Sequence, residues 1–493
     1  MSGREARMEF EAGRLPPERL LDLLERQERL IKHLQAEVER LKQRLAQYEP
    51  EASAESPSRP AAGPPPSASY SVEAEQRRRR RGRRRRKPSP GRRPTERKFS
   101  QAHTFEDVYA DGVPPADGHL LRERAVWRLR EGRAVLVGYR LFGRQGGPEP
   151  SIPGVTPRCE YGLEILVVLA FLVYVIGLSL AKACAVLAFF CQLPLSRSEA
   201  DALLRQLAHH WQGEFDTLCE LLAHAAVVYL DETGWKVGDE GCSLWTFASA
   251  GQRVFLFGCH KDAATLDTML PPEVFRGIGV SDDAAVYRQR FEQAQKCWAH
   301  LLRKAIRLAL LYPRRQKYQR FLDALLELYR DAKRVAADGR LGDAGRRQRV
   351  AELEGRLCEL CLPYQGRATA GLSPPERDLY NLANELVGRL LDEELFTFVL
   401  HPEVEPTNNV SERLQRGAAL ERKAGRTSQT AAGAQRRSVI VSVLESLRAN
   451  LEEFTLASVL TEVQRWLSEG LSLFQRQWQA MQETLATAAP DTG

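Results

Sequence analysis

The sequence predicts a mixed α/β sheet core, split by a helical insertion and preceded by a coiled coil and a helical region. Three observations lead there. Two short apolar runs, 226–230 and 277–280, read as buried strands, and each leads into acids. Residues 312–400 are rich in Leu, Arg, Glu and Ala and repeat at the 3.6-residue helical period. Residues 16–49 follow a seven-residue apolar period instead.

The heptad is carried by Leu24, Ile31, Val38 and Leu45, with Leu20, Gln27, Leu34, Leu41 and Tyr48 as the second series. Aliphatic residues at one core position and leucine at the other favour a parallel two-stranded coil. Residues 1–49 are therefore expected to pair two copies of the chain. A linker rich in Pro, Ala, Ser and Glu follows within 50–99. It leads to a basic run of ten cations in eleven residues: Arg77, Arg78, Arg79, Arg80, Arg81, Arg83, Arg84, Arg85, Arg86 and Lys87. The whole chain of 493 residues carries a net charge of only +7, so the rest of it is net acidic. Such a tail suits a polyanion, and phosphate contacts of this kind add affinity and salt dependence without sequence choice. Deleting 77–87 is expected to weaken DNA binding and flatten its salt dependence. A localisation tail is the competing use.

Residues 100–225 read as mostly helical, after an irregular stretch over 100–150 with short strands such as 134–139. Helices are expected over 161–190 and 199–211, with Ser196 or Ser198 as the N-cap of the second. This pair reads either as a DNA-reading helix-turn-helix or as two packed helices. The uncharged stretch 165–181 is 17 residues long but has no aromatic belt or polybasic flank, so a buried helix is favoured over a membrane span. The nine cysteines are odd in number and lack framework spacing, which points to a reducing cytosol. Residues 1–20 are charged and hold no apolar signal segment.

The sheet is expected over 226–311. A strand would end at Asp231, with an Asp-Glu-Thr-Gly turn after it. A hairpin 243–257 follows, then a helix near 263–270, a strand running to Asp282, a helix over 284–291 and a short strand at 295–298. After the insertion, 401–450 holds a helix beginning at the Asn408–Asn409 pair, and 451–493 forms a C-terminal helical tail. Asn409 would cap that helix, with Glu412 as its third residue.

Two strand-end acids, Asp231 and Asp282, lie 51 residues apart, and Glu412 supplies a third on a helix. Phosphodiester cleavage needs an activated oxygen nucleophile and a stabilised leaving oxygen. Two divalent ions about 3.5–4 Å apart provide both, and hard ions such as Mg2+ take carboxylate ligands. Cys297, His300, Cys358 and Cys361 make a formal zinc set, although cysteines three apart on a helix are also ordinary core neighbours.

Four motifs in order carry a family resemblance: Asp231-Glu232-Thr233, Ser281-Asp282-Asp283-Ala284-Ala285-Val286-Tyr287, Cys297-Trp298-Ala299-His300 with Arg303, and Asn408-Asn409-Val410-Ser411-Glu412-Arg413. Together they resemble the large transposase of the bacterial insertion-sequence family sixty-six, over roughly 155–450. The resemblance implies a ribonuclease H-like core and an Asp-Asp-Glu transposase that cuts element ends and transfers strands. Asp231, Asp282 and Glu412 would be catalytic and would hold Mg2+ or Mn2+. Asn408, Asn409, Arg413, Arg422 and Lys423 would contact DNA phosphates or complete the helix start, with His300 and Arg303 as helpers. The partners implied are double-stranded DNA, a second copy of the chain and accessory proteins of the same element, with no membrane, in a bacterial cytoplasm at the nucleoid. Members often carry a cysteine-rich zinc segment after the coil, but here no cysteine precedes Cys159. The rival readings are a metal-dependent nuclease or resolvase without strand transfer, and a DNA-binding protein with a decayed site.

Overall fold

The computed structural model describes residues 95–365 and 371–488. The expected coiled coil, the linker and the arginine run lie outside the described residues. Among the described residues the fold is mixed α/β, with two sheets and 15 α-helices.

A short helix α1 (Thr95–Phe99) precedes a three-stranded sheet made of β1 (Thr104–Tyr109), β2 (His119–Arg130) and β3 (Arg133–Gly143), in the order β1-β3-β2. This corrects the expectation of an irregular stretch over 100–150 in a mostly helical region, although the expected strand at 134–139 lies within β3. Arg122, Glu123, Arg124, Arg128 and Arg130 crowd β2, and these charges mask its strand character in sequence. Its two-residue turn places Glu131 (φ 50°) and Gly132 (φ 77°) in the left-handed region, as tight hairpin turns require.

The expected single helix over 161–190 is two: α2 (Leu163–Ala170) and α3 (Leu180–Cys191). A π-turn over Phe171–Val175 and Gly177 at φ 75° break the uncharged stretch between them. No helix among the described residues is long and apolar enough to cross a membrane. Helix α4 (Arg197–His210) starts at Ser196, whose hydroxyl accepts from Glu199 N at 3.2 Å while the Glu199 carboxylate accepts from Ser196 N at 3.0 Å. Its buried stripe of Ala200, Leu203, Leu204 and Leu207 joins that of α5 (Gln212–Ala223) in the main core.

The main sheet contains β4 (Val227–Val237), β5 (Glu240–Ala248), β6 (Arg253–Cys259), β7 (Ile278–Ser281) and β8 (Gln293–Lys296), in the order β6-β5-β4-β7-β8. Strand β5 is antiparallel to both neighbours, whereas β4, β7 and β8 run parallel. Helix α6 (Ala263–Met269) connects β6 to β7. Two expectations are corrected. The Asp-Glu-Thr-Gly segment is not a turn, because β5 pairs with β4 from Tyr229 through to Val237. The expected helix over 284–291 is only a one-turn 3-10 segment, since Tyr287 is drawn into the core at 1 % exposure.

Each sheet face has its own core. Val228 and Leu230 pack with α4, α5 and α13 (Ala431–Asn450). Tyr229 and Val280 pack on the opposite face with α7 (Trp298–Leu311), α8 (Gln316–Ala337), α9 (Asp343–Cys361), α10 (Pro374–Leu391) and α11 (Thr397–Leu400). Helix α12 (Asn409–Lys423) returns the chain to the sheet, and α14 (Leu456–Glu469) and α15 (Leu473–Ala488) complete it.

Helix α13 also closes the open edge of the sheet. Ser438, Ser442 and Ser446 accept from the backbone N–H groups of Phe257, Phe255 and Arg253, each at 2.9 Å. Four helical residues rise about 6 Å, close to the roughly 6.7 Å of two strand residues, so a serine every fourth position tracks every second N–H. The edge is thereby denied to other chains. Ser442→Ala would leave the buried Phe255 N–H unpaired and is expected to cost about 1–3 kcal/mol. Urea unfolding measures this, and a loss below about 0.5 kcal/mol, the size of an ordinary surface change, would contradict the edge-closing role.

Candidate active site

The site is built where β4 outruns its parallel neighbour. Strand β7 pairs with β4 through Tyr229↔Val280 and ends at Ser281, so the next alternate positions set Asp231 beside Asp282. Each carboxylate is tied to local backbone: Asp231 Oδ1 accepts from Glu232 N at 3.0 Å, and Asp282 Oδ1 from Ala284 N at 2.9 Å. Both side chains are half-buried. Burial pushes the Asp231 carboxyl up to about 7, with further contributions from the charges of Glu232, Asp282 and Glu412. All three expected acids therefore share one electrostatic neighbourhood.

Glu412 reaches that neighbourhood on the first turn of α12. Asn408 occupies the N-cap position without a side-chain capping bond, so the expected capping box at Asn409 is absent. Fully buried Asn408 is spent on the fold instead. Its amide donates to Leu230 O at 2.6 Å, one residue before Asp231, and its backbone N–H donates to Cys297 Sγ at 3.2 Å. It holds the helix of the third acid against the strand of the first, and it does not lie on the surface where DNA contact was expected. Released from capping, Glu412 accepts from Arg303 Nη2 at 3.2 Å and stands 3.6 Å from His300 Nδ1. Burial, with Arg303 second, holds the His300 pKa below its usual range.

The neighbouring acids face elsewhere. Asp283 pairs with Arg389 Nε at 2.6 Å, which leaves Asp282 as the acid of that pair beside Asp231. Glu232 is held by Lys261 and by the buried Tyr287 hydroxyl, which donates to it. Lys261 escaped sequence reasoning, because nothing in Cys259-His260-Lys261 announces a partner 29 positions upstream. Gln415 was missed too: it donates to Thr246 Oγ1 at 2.6 Å, and Thr246 donates to Asp231 O at 3.2 Å.

Of the remaining expected DNA contacts, Asn409, Arg413 and Lys423 are exposed on α12. Arg422 is half-buried and donates to Thr233 Oγ1 at 3.0 Å and to Gly234 O. The formal zinc set is not assembled. Cys361 is buried in the core of the helical layer and Cys358 is exposed. Cys297 and His300 gather with Glu412 instead, each offering a ligand atom within 4.8 Å of the others.

Residues 158–436, more than half of the chain, match the family described as Transposase IS66 family. The chain belongs to the IS66 transposase family. The matched segment of this IS66-family transposase contains all three acids and every element that positions them. A transposase acts on DNA. No curated protein matches the sequence significantly.

Transposases of this class work with divalent metal ions, and the donor set fits one. Burial and neighbouring negative charge raise the Asp231 pKa to about 7, and a cation relieves the charge repulsion. Since a metal binds the ionised carboxylate, divalent-metal affinity is expected to rise as pH rises through about 7. Calorimetry in buffers of different ionisation heat should find proton release on binding at pH ~6 and almost none at pH ~8.5. Equal release at both would contradict the raised Asp231 value.

Proposed function

We propose that this transposase is an Asp-Asp-Glu enzyme with a ribonuclease H-like core, which cuts DNA at the ends of its element and joins those ends to target DNA. The observation that carries the reading is that the charges of Asp282 and Glu412 both act on Asp231, the three acids coming from β4, the end of its parallel neighbour β7 and the first turn of α12. The strand order, with one antiparallel strand in the middle of the first three, supports the core assignment.

Asp231, Asp282 and Glu412 would hold Mg2+ or Mn2+, which supplies an activated oxygen nucleophile and stabilises the leaving 3′-oxygen. Arg303 holds Glu412 by a hydrogen bond, with His300 beside it. Asn408 fixes the distance between its helix and β4. Exposed Asn409, Arg413 and Lys423 face phosphates beside the acids, while the 77–87 run adds affinity along the duplex. In the first step water displaces the 3′-oxygen at the element end. In the second, the freed 3′-hydroxyl attacks a target phosphodiester, and its proton is lost as the target 3′-oxygen leaves. Pairing of two copies through residues 1–49 would bring two ends together.

The test is an assay of the full chain with DNA carrying the element's ends, in Mg2+. Cleavage followed by joined products is expected. Cleavage without joining would make the protein a nuclease, and DNA binding without cleavage would make the site a decayed one.

A further inference from the structure

The compact ligand group at the edge of the site, Cys297, His300 and Glu412, has a chemistry that three carboxylates lack. Cys297 precedes α7 and His300 lies on its first turn, so a three-residue spacing sets thiol and imidazole on one face. Glu412 meets them from α12. Each offers an atom within 4.8 Å of the other two. His300 Nδ1 is buried with no hydrogen-bond partner, and Glu412 Oε1 lies 3.6 Å from it. Ligand atoms on one tetrahedral zinc, with bonds of roughly 2.0–2.3 Å, stand about 3.3–3.6 Å apart. The unsatisfied nitrogen is thus near the place that an ion would have it. The sulfur is prepared as well, since Asn408 N donates to it at 3.2 Å.

We propose that Cys297, His300 and Glu412 form a Zn2+ site that brakes the enzyme by taking Glu412 from the catalytic acids. A thiolate and an imidazole select zinc, whereas Mg2+ prefers oxygen ligands throughout. Three protein ligands leave a fourth position open to water. Arg303 now neutralises Glu412, and with its side chain 54 % exposed it is free to swing out as an ion enters. With Glu412 drawn to the sulfur and imidazole, Asp231 and Asp282 lose their third partner. The braking effect rests on the transposase reading, but the binding itself does not.

Cobalt reports on the site in the full-length protein. Titration with Co2+ should produce a thiolate-to-metal charge-transfer band that added Zn2+ bleaches. Cys297→Ser, which keeps an acceptor for Asn408 N, should abolish the band, and His300→Ala should weaken binding by about 10–100-fold or more. Cys358→Ser, away from the cluster, should leave the band intact. A band that survives Cys297→Ser, or its absence from folded wild-type protein, would overturn the site. In parallel, Zn2+ added at fixed Mg2+ should suppress DNA cleavage, with about 10–100-fold more Zn2+ needed for Cys297→Ser. Equal inhibition of both proteins would overturn the brake. A wild-type chain that shows the band but cleaves no DNA in any metal would sink the transposase chemistry and leave the zinc site standing.

Discussion

Asp231→Asn should abolish DNA cleavage while making the metal-free protein more stable at neutral pH. The loss is expected to be about 1,000-fold or more, since an Asn gives up a charged metal ligand and several kcal/mol of transition-state stabilisation go with it. The stability change follows from linkage. The folded-state pKa of Asp231 is raised to about 7 against an ordinary carboxylate value near 4, so the folded state binds its proton more tightly than the unfolded chain does. Stability contributed by that proton is present in acid and is lost as pH rises from about 4 to about 7. Asn carries no such penalty. Thermal melts in chelator at pH ~8 should therefore favour the variant, and at pH ~4 the two proteins should converge. Saturating metal should reverse the order at pH ~8, because it binds the wild-type carboxylates and stabilises the folded state. A variant that is less stable than wild type in chelator at pH ~8 would contradict the burial argument.

Trp298→Ala should be the most damaging substitution to the fold near the site. Trp298 is fully buried, donates from Nε1 to Leu395 O at 2.7 Å, and packs against Tyr329 and Phe396 with ring centroids 5.3 and 5.7 Å away. Truncation should cost about 3–5 kcal/mol in unfolding free energy. The damage should reach activity as well. Trp298 anchors the start of α7, whose first two turns carry the His300 and Arg303 side chains that face Glu412. Trp298→Phe keeps most of the packing and isolates the indole hydrogen bond, worth about 1 kcal/mol. A destabilisation below about 1 kcal/mol for Trp298→Ala would mean that the cavity collapses and the anchor is unimportant.

The sequence carried the local signals of this site and hid the distant ones. Asp231 stood out because an apolar run ended in an acid. The continuation of β4 past it did not, because Asp-Glu-Thr-Gly has turn chemistry and only pairing with β5 overrides that. Asp282 and Asp283 are equivalent as letters. Arg389, on a helix more than a hundred residues later, is what removes Asp283. Asn408 and Asn409 look alike too, but their roles are set by a carbonyl on β4 and a sulfur before α7. The long helices after α7 repeat their apolar residues at a single period and were visible for that reason. The small sheet was obscured because β2 is crowded with charged residues, while the apolar run of β3 was legible as a strand. Ser438, Ser442 and Ser446 recur every fourth residue, a pattern open to reading only once an edge strand is known to lie beside them.

The most direct test of the three acids as one catalytic unit is a cleavage assay on element-end DNA with Asp231→Asn, Asp282→Asn, Glu412→Gln and the triple variant, each checked for folding. Residues that act together lose activity non-additively. Each single variant should fall nearly as far as the triple, to background cleavage in Mg2+. A single variant that keeps near wild-type cleavage, or losses that multiply from one variant to the next, would contradict a shared metal-binding site.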